Sequence, residues 1–195
     1  MRLGIYGGTF DPVHIGHLVL AESARTQLDL ARVLFVPAGD PWRKSRPAIT
    51  PAEQRFRMIE LAIADNPGLG ADDSELLRKG PSYTAETLRE FSAKADELFF
   101  LLGEDALQDL PYWRKPEEIV RYATLAVAER DGADADHRAL PEGTRLARLD
   151  MPLLAVSSTE IRRRVREGLS IRYLVPADVE AYIRENQLYI GSAES

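Results

Sequence analysis

Two histidines lie three residues apart, shortly after a pair of glycines near the start of the chain. Gly7 and Gly8 end a short apolar run over residues 2–6 that predicts a buried strand. His14 and His17 then fall around the start of a predicted helix, where they can share one face. Glycine lets the backbone approach a ligand closely, and a helix N-terminus attracts anions through its free N–H groups. Imidazoles placed there add donors for phosphate oxygens and can be cationic when a polyphosphate is bound, so the spacing predicts a phosphate site.

Metal binding is the alternative use of paired histidines. No carboxylate or thiolate partner accompanies this pair at a suitable spacing, so we expect no metal held by the protein here. His137 lies close to Asp134 and Asp136, which superficially suggests a second metal site. The stretch 131–143 is polar and poor in apolar anchors, and we expect it to be a solvated loop.

A second group of phosphate-binding residue types lies near the other end of the chain. Ser157, Ser158 and Thr159 precede a predicted helix, and their hydroxyls with the free amide groups predict an anion nest. Arg162 follows at a spacing that lets its fork of donors reach back to the same anion. The other basic residues of this helix are interpreted as a solvated face: Arg163, Arg164 and Arg166. Together the two motifs predict one triphosphate held between the two ends of the chain.

The composition limits the classes of function. The net charge of −6 over 195 residues argues against non-specific nucleic-acid binding, which needs a basic surface. No apolar run is long enough to span a bilayer or to serve as a signal peptide, and we expect a cytoplasmic protein without membrane partners. The absence of cysteine excludes disulfides, zinc thiolate sites and thiol catalysis. The oligomeric state stays open, with a homo-oligomer as one outcome.

Apolar runs alternate with helical patterns and turn residues along the whole chain. Strands are predicted over residues 2–6, 32–36, 97–102, 124–128 and 153–156. Helices are predicted over residues 16–28, 51–64, 82–95, 157–168 and 176–186, with Thr50 and Glu53 forming a capping box at the start of the second. Continuous hydrophobicity in the strands implies burial on both faces, so we expect an α/β fold with a doubly wound, Rossmann-like parallel sheet flanked by helices. Ligands of such folds lie beyond the carboxyl ends of the strands.

The first motif now supports a resemblance. The run Gly8-Thr9-Phe10-Asp11-Pro12-Val13-His14-Ile15-Gly16-His17 resembles the signature of the nucleotidylyltransferase superfamily, and Ser158-Thr159 with Arg162 resembles its second motif. Class I aminoacyl-tRNA synthetases share the His14–His17 pattern, but the short chain and the lack of a Lys-Met-Ser-Lys-Ser loop exclude them.

The middle of the chain resembles bacterial nicotinate mononucleotide adenylyltransferases from about residue 3 to 190. The matching pieces are Val36-Pro37 with Lys44, Arg55 with Met58, Ser82-Tyr83-Thr84, Gly103 with Asp105 and Trp113, and the tail from Ser170 to Tyr189. The resemblance implies one nucleotidylyltransferase domain over 1–195, with a C-terminal helical segment from about 157. It also implies transfer of the adenylyl group of ATP to nicotinate mononucleotide, with Mg²⁺ on the ATP phosphates, giving deamido-NAD and pyrophosphate.

The resemblance also implies residue roles. Charge stabilisation during transfer falls to His14, His17, Lys44 and Arg162. The ATP-binding set comprises Gly7, Gly8, Thr9, Phe10, His14, Gly16, His17, Ser157, Ser158, Thr159 and Arg162. The acceptor set comprises Lys44, Ser82, Tyr83, Thr84, Gly103, Asp105, Trp113 and Arg114. Within it, backbone amides near Thr84 and Arg114 would hold the carboxylate, and Asp105 would bond ribose hydroxyls.

Several residues keep a second interpretation. Trp113 is either a stacking surface for the pyridine ring or a core aromatic, and Asp105 is also a candidate helix N-cap. Trp42 is either a lid over the acceptor or a loop aromatic packed on the core. Arg43, where a histidine is common, and Arg114, where an aromatic residue is common, depart from the family pattern on the acceptor side. Arg114 could strengthen carboxylate binding.

Three rival functions stay open at this point. The enzyme could use nicotinamide mononucleotide, alone or together with the acid. It could be a phosphopantetheine adenylyltransferase, which lacks the arrangement of Ser82-Tyr83-Thr84 and Asp105 with Trp113. From another class, the chain could be an ATP-sensing module without turnover.

Overall fold

The computed structural model describes residues 1–39, 49–78, 80–128 and 140–191. Six strands form one parallel sheet in the order β3-β2-β1-β4-β5-β6, which confirms the predicted fold class. The chain starts at the centre, winds to one edge and returns through β4 to build the other half. The connections that follow the neighbouring strands β1 and β4 therefore lie on opposite faces of the sheet. Ligands of such folds bind beyond the carboxyl ends of the strands at this position, where the strand order reverses. The strands are β1 (Arg2–Gly8), β2 (Arg32–Pro37), β3 (Leu69–Ala71), β4 (Glu97–Gly103), β5 (Thr124–Ala128) and β6 (Leu146–Leu149).

Helices cover both faces of the sheet, as the continuous hydrophobicity of the strands predicts. In β4, Phe99 and Leu101 face one core while Phe100 and Leu102 face the other. The first core takes apolar side chains from α1 (Ile15–Gln27), α2 (Ala52–Ile63), α7 (Ser158–Arg166) and α8 (Ala177–Glu185). The second takes them from α4 (Thr84–Ser92), α5 (Glu104–Asp109) and α6 (Pro116–Tyr122). A short helix, α3 (Ser74–Leu77), connects β3 to α4.

The edges of the sheet differ from the prediction. The last strand is Leu146–Leu149, and residues 153–156 form no strand. The apolar side chains of 153–156 line a cavity instead, and Leu153 is 65% exposed. The sequence analysis also missed the three-residue strand Leu69–Ala71, which is too short to show a periodicity.

The start of α2 corrects a second prediction. Pro51 is the N-cap residue, and no side chain caps the helix, so Thr50 and Glu53 form no capping box. Thr50 instead donates its backbone N–H to Asp11 and accepts a bond from Arg55 at its carbonyl. In the parts of the chain described above, no helix is long and apolar enough to cross a membrane.

Candidate active site

The two histidines stack on one another at the N-terminus of α1, as their spacing predicts. Their ring centroids lie 3.7 Å apart with an interplanar angle of 26°. The backbone N–H of His14, the N-cap residue of α1, donates to Nδ1 of His17 over 3.1 Å. Because Nδ1 of His17 accepts this bond, the neutral ring carries its proton on Nε2, which can donate to a ligand.

Burial keeps both imidazoles neutral at pH 7 in the free protein. It lowers the pKa of His14 to about 4, against a smaller opposing effect of a backbone hydrogen bond. Burial, and then the charge of His14, lowers the pKa of His17 well below the usual value. Protonating both stacked rings would place two positive charges next to each other, which is energetically unfavourable. The negative charge of a polyphosphate is therefore needed before either ring gains a proton, and neutral N–H donors are the starting state.

Glycines let the rings and the neighbouring loop pack closely. A Cβ on Gly16 would lie 3.0 Å from Val156 Cγ1 and 3.1 Å from the His14 ring. A Cβ on Gly8 would lie 3.0 Å from the Phe10 ring, and one on Gly7 would lie 3.3 Å from Phe100. Gly7 and Gly8 thus allow aromatic packing beneath the loop, and their contact with ATP stays a prediction.

Arg162 and Ser158 hydrogen bond to the loop after β1 and so connect the two ends of the chain. Together with that loop they form one wall of the site. Arg162 Nη1 donates to the carbonyl of Asp11 over 2.7 Å, and Ser158 Oγ donates to the carbonyl of Pro12 over 2.9 Å. The predicted convergence of the two motifs is therefore present. Ser157 lies outside this wall as the N-cap of α7, where its side chain accepts from the N–H of Glu160 over 3.2 Å.

A cavity of about 770 Å³ opens in front of this wall. Its lining includes Thr9, Phe10, His17, Ser158, Thr159 and Arg162, all predicted to bind ATP. Arg166 lines it too and is exposed, in agreement with the solvated face predicted for that residue. Arg163 and Arg164 do form ion pairs along the helix, Arg163 with Glu160 and Glu167, and Arg164 with Glu160.

A buried aspartate closes the same cavity from below. Asp11, 5% exposed, accepts from Tyr189 Oη over 2.7 Å and from the N–H of Thr50 over 3.3 Å. Burial, and then the Asp11 charge, raises the pKa of Tyr189, so the phenol stays protonated and donates. Tyr189 and Asp11 were recognised only as parts of the family resemblance, since no local pattern predicts the contact between them.

Arg55 is a third residue whose role is visible only in the structure. It is 1% exposed, and its guanidinium donates to the carbonyls of Thr50, Thr9 and Ala38 over 2.8, 2.7 and 2.6 Å. These carbonyls belong to the first turn before α2, the loop after β1 and the end of β2. One buried guanidinium therefore holds three segments around the cavity. The one feature of the sequence that indicates burial of Arg55 is its position on the apolar face of α2.

A second cavity of about 180 Å³ lies on the other side of the histidines. His14, Gly16, His17, Gly103 and Asp105 all line it, together with residues of the 151–156 segment. Gly103 and Asp105 thus share a cavity with the predicted ATP-binding residues. Asp105 is not an N-cap, because Gly103 caps α5 and Asp105 lies in its first turn.

The other predicted acceptor residues form a separate small pocket. Ser82, Tyr83, Thr84, Trp113 and Arg114 line it together with Ile119. Trp113 is partly buried and packs edge-on against Phe100, with ring centroids 6.2 Å apart, so it contributes to the core, and its stacking on a pyridine ring stays a prediction. The Arg114 guanidinium lies 4.4 Å from the centre of the Tyr83 ring.

Some predicted residues lie outside the described part of the chain. These are Lys44, Trp42 and Arg43, and also His137 with Asp134 and Asp136. Their predictions are untested by the structure. Within the described ranges, no three His, Asp or Glu side chains are grouped so that they could hold a metal ion.

Known proteins share both the motifs and the fold. The family model described as cytidylyltransferase-like matches residues 5–164, which include both phosphate motifs. A protein of Thermus thermophilus is 46% identical over 191 residues, covering 97% of this chain and 100% of the relative. One of Thermomicrobium roseum is 45% identical over 197 residues, covering 96% and 91%. Both bear the name "Probable nicotinate-nucleotide adenylyltransferase".

Solved structures agree on the fold. A Plasmodium falciparum nicotinic acid mononucleotide adenylyltransferase complexed with NaAD superposes with a TM-score of 0.78. The two chains are 19% identical, and the match covers 96% of this chain and 97% of the other. At this identity the likeness shows the fold alone.

Proposed function

Because this chain belongs to the nicotinate-nucleotide adenylyltransferases of the cytidylyltransferase-like family, we propose that it transfers the adenylyl group of ATP to nicotinate mononucleotide. A 5′-phosphate oxygen of the mononucleotide attacks the α-phosphorus of ATP in line. The bond from the α-phosphorus to the oxygen bridging to the β-phosphate breaks, and pyrophosphate leaves with that oxygen and its charge. The products are deamido-NAD and pyrophosphate, in a step of NAD biosynthesis.

One observation carries the proposal: the two phosphate motifs, 151 residues apart, meet at the hydrogen bond from Arg162 to Asp11. The attacking phosphate is already anionic, so the reaction needs positioning and charge stabilisation more than a strong base. His17 and Arg162 line the same cavity and supply N–H donors to the phosphate oxygens. His14 stacks on His17 and fixes its orientation. Lys44 is proposed as a further cation from its place in the family pattern.

ATP is proposed to bind as its Mg²⁺ complex. The cavity around Arg162 offers hydroxyls, N–H groups and a guanidinium, which suit phosphate oxygens. Its buried carboxylate, Asp11, already accepts from Tyr189 and Thr50. Mg²⁺ is therefore held by phosphate oxygens and water and enters with the substrate.

The pocket lined by Ser82, Tyr83, Thr84, Trp113 and Arg114 supports a flat, anionic acceptor. Trp113 supplies an aromatic surface for a pyridine ring. The guanidinium of Arg114 is held on the Tyr83 ring at the rim, where it can meet a carboxylate. This arrangement favours the acid mononucleotide over the amide.

Pyrophosphate release tests the proposal against its rivals. The protein is mixed with ATP and Mg²⁺ and, in separate assays, with nicotinate mononucleotide, nicotinamide mononucleotide and phosphopantetheine. We expect release with the acid mononucleotide at a higher kcat/KM than with either alternative. Release with phosphopantetheine alone would reassign the acceptor, and no release with any acceptor would favour an ATP-sensing module. Equal release with both pyridine mononucleotides would remove only the carboxylate preference.

A further inference from the structure

A buried carboxylate is hydrogen bonded to α4, the helix whose start lines the acceptor pocket, and has no part in the proposed reaction. Glu75, on α3, is 6% exposed although its side chain carries a titratable group. Thr87 Oγ1, on α4, donates to Glu75 Oε1 over 2.5 Å. Burial raises the pKa of the Glu75 carboxyl, and the neighbouring Thr87 and Ser82 side chains oppose that shift. Burying a carboxylate is costly unless hydrogen bonds compensate, so the retained group points to a specific role.

The same carboxylate is connected to the end of the central sheet. The N–H of Gly39, two residues after β2, donates to Ser82 Oγ over 3.0 Å. This bond ties the chain after β2 to the segment that precedes α4. Gly39 also packs against the backbone of α3, where a Cβ would lie 2.2 Å from the Glu75 carbonyl oxygen. Three segments therefore meet at Glu75: the end of β2, α3, and the start of α4.

A cation at the far side balances the buried charge. Arg78 Nη1 donates to Thr87 Oγ1 over 3.2 Å, and Arg78 Nη2 pairs with the exposed Glu90 over 3.1 Å. Thr87 thus accepts from Arg78 and donates to Glu75, while Ser82 accepts from Gly39. The Thr87 hydroxyl is therefore held between Arg78 and Glu75 in one orientation. Ser82 begins the acceptor-pocket lining that continues through Tyr83 and Thr84.

We propose that Glu75 is a positioning residue for the acceptor: it fixes Ser82–Thr84 against Gly39 and thereby shapes the pocket without touching the substrate. This inference rests on the proposed function, because it assigns the pocket to the mononucleotide. The positioning role predicts different effects on the two substrates. The network contacts the acceptor pocket and does not include the histidines or Arg162, so a change at Glu75 should affect the mononucleotide more than ATP.

The test compares Glu75→Gln and Glu75→Ala with the wild type in steady-state kinetics for each substrate. Glu75→Ala leaves the buried Thr87 hydroxyl without its acceptor, whereas Glu75→Gln keeps one acceptor oxygen and loses the other together with the charge. We expect E75Q to raise the KM for nicotinate mononucleotide about 5-fold and E75A by about 50-fold, with the KM for ATP changed less than about twofold. E90Q is the matched control, because it removes the exposed partner of Arg78 and leaves the buried network; it should change neither KM.

A measurement that does not depend on turnover tests the positioning role even if the acceptor is not nicotinate mononucleotide. Trp113 lines the same pocket, so acrylamide quenching of its fluorescence is measured in a Trp42→Phe background. We expect faster quenching in E75Q and no change in E90Q. Equal rises in both KM values, or a lower Tm with unchanged kinetics and quenching, would overturn the positioning role. If the wild type does not use nicotinate mononucleotide but E75Q still opens the pocket, the proposed function fails and the positioning role stands.

Discussion

At the scale of single residues, the site depends on donors held in fixed directions more than on free charges. The His14 N–H fixes the tautomer of His17, and the Asp11 carbonyl fixes the guanidinium of Arg162. Such donors need no reorganisation when charge develops on a transferring phosphoryl group, which makes them effective in catalysis. The effect of removing one should therefore appear mainly in kcat.

Arg162→Ala is expected to lower kcat by about 100- to 1,000-fold, because it removes a donor to the polyphosphate. Arg162→Lys should recover only part of this loss, since an ammonium cannot replace the two-pronged guanidinium. Pyrophosphate release at saturating substrates measures both effects. Arg163→Ala removes the same charge from the same helix, but its partners are Glu160 and Glu167. A similar loss in R163A would show that net charge, and not the position of Arg162, matters.

Arg114→Ala is expected to reduce the preference for nicotinate over nicotinamide mononucleotide by about 10-fold, a typical value for one charge-assisted contact. The ratio of the two kcat/KM values measures the preference. Arg121→Ala is the control, because Arg121 lies on α6 near the ring of Tyr122, away from the pocket lining. An unchanged ratio in R114A would leave the backbone amides as the carboxylate-binding groups.

At the scale of elements, the cavity exists because strand ends and helix starts are tied together. Parallel strands bring the ends of β1 and β2 to one edge, but the loops after them need their own partners. Arg55 supplies these through three carbonyls from different segments. Burial lowers the pKa of Arg55, and the charge of Asp11 opposes that effect. A guanidinium keeps its proton in proteins, so Arg55 donates to all three carbonyls as a cation.

Arg55→Met is expected to lower the free energy of unfolding by about 3 kcal/mol, because three partly buried carbonyls lose their donor together. Urea unfolding followed by circular dichroism measures the change. Arg57→Met is the matched control on the same helix: Arg57 is 53% exposed and pairs only with Glu60 in the described structure. Its effect should stay below about 1 kcal/mol. Equal effects of the two changes would contradict the role of Arg55 in holding the three segments together.

At the scale of the whole molecule, the two ends of the chain complete one site. Tyr189 near the C-terminal end bonds to Asp11 in the first loop, and Arg162 bonds to the same loop. Residues from α8 enter the same core as those of α1 and α2. Loss of the C-terminal packing would therefore open the phosphate cavity, so global stability and the site are coupled.

Global stability is expected to fall as the pH drops from about 6.5 toward 4. Burial depresses the pKa of His14 to about 4 and also depresses that of His17, so in this window the unfolded chain binds more protons than the folded one. The histidine contribution is present above about pH 6.5 and amounts to about 1–3 kcal/mol. Urea unfolding between pH 4.5 and 7.5 measures the slope.

A His14→Gln, His17→Gln double variant serves as the control, and it should lose most of this slope. Burial raises the pKa of Glu75, which acts in the opposite direction, because a carboxyl that binds its proton more tightly when folded stabilises the fold at lower pH. The histidine effect is thus the difference between the wild type and the double variant. Identical slopes in both proteins would show that the buried histidines are not its source.

The sequence by itself determined the central strands, most long helices and the two phosphate motifs. Each of these depends on local pattern: apolar runs, turn glycines, and donors at helix starts. Prediction failed for β3 and β6, where the strands are three and four residues long. It also failed at 153–156, where an apolar run lines a cavity instead of a sheet.

Only the tertiary structure decided how the residues are used. Arg55 and Glu75 look like ordinary charges on helices, and only burial and long-range partners reveal what they hold. Gly103 and Asp105 joined the histidine cavity because β4 lies beside β1, a neighbour relation that no local pattern encodes. The spacing of the opening histidines predicted their stacking on one face, and their phosphate-binding role stays a prediction. Their neutral state could not be predicted from the sequence, because desolvation depends on everything that packs around them.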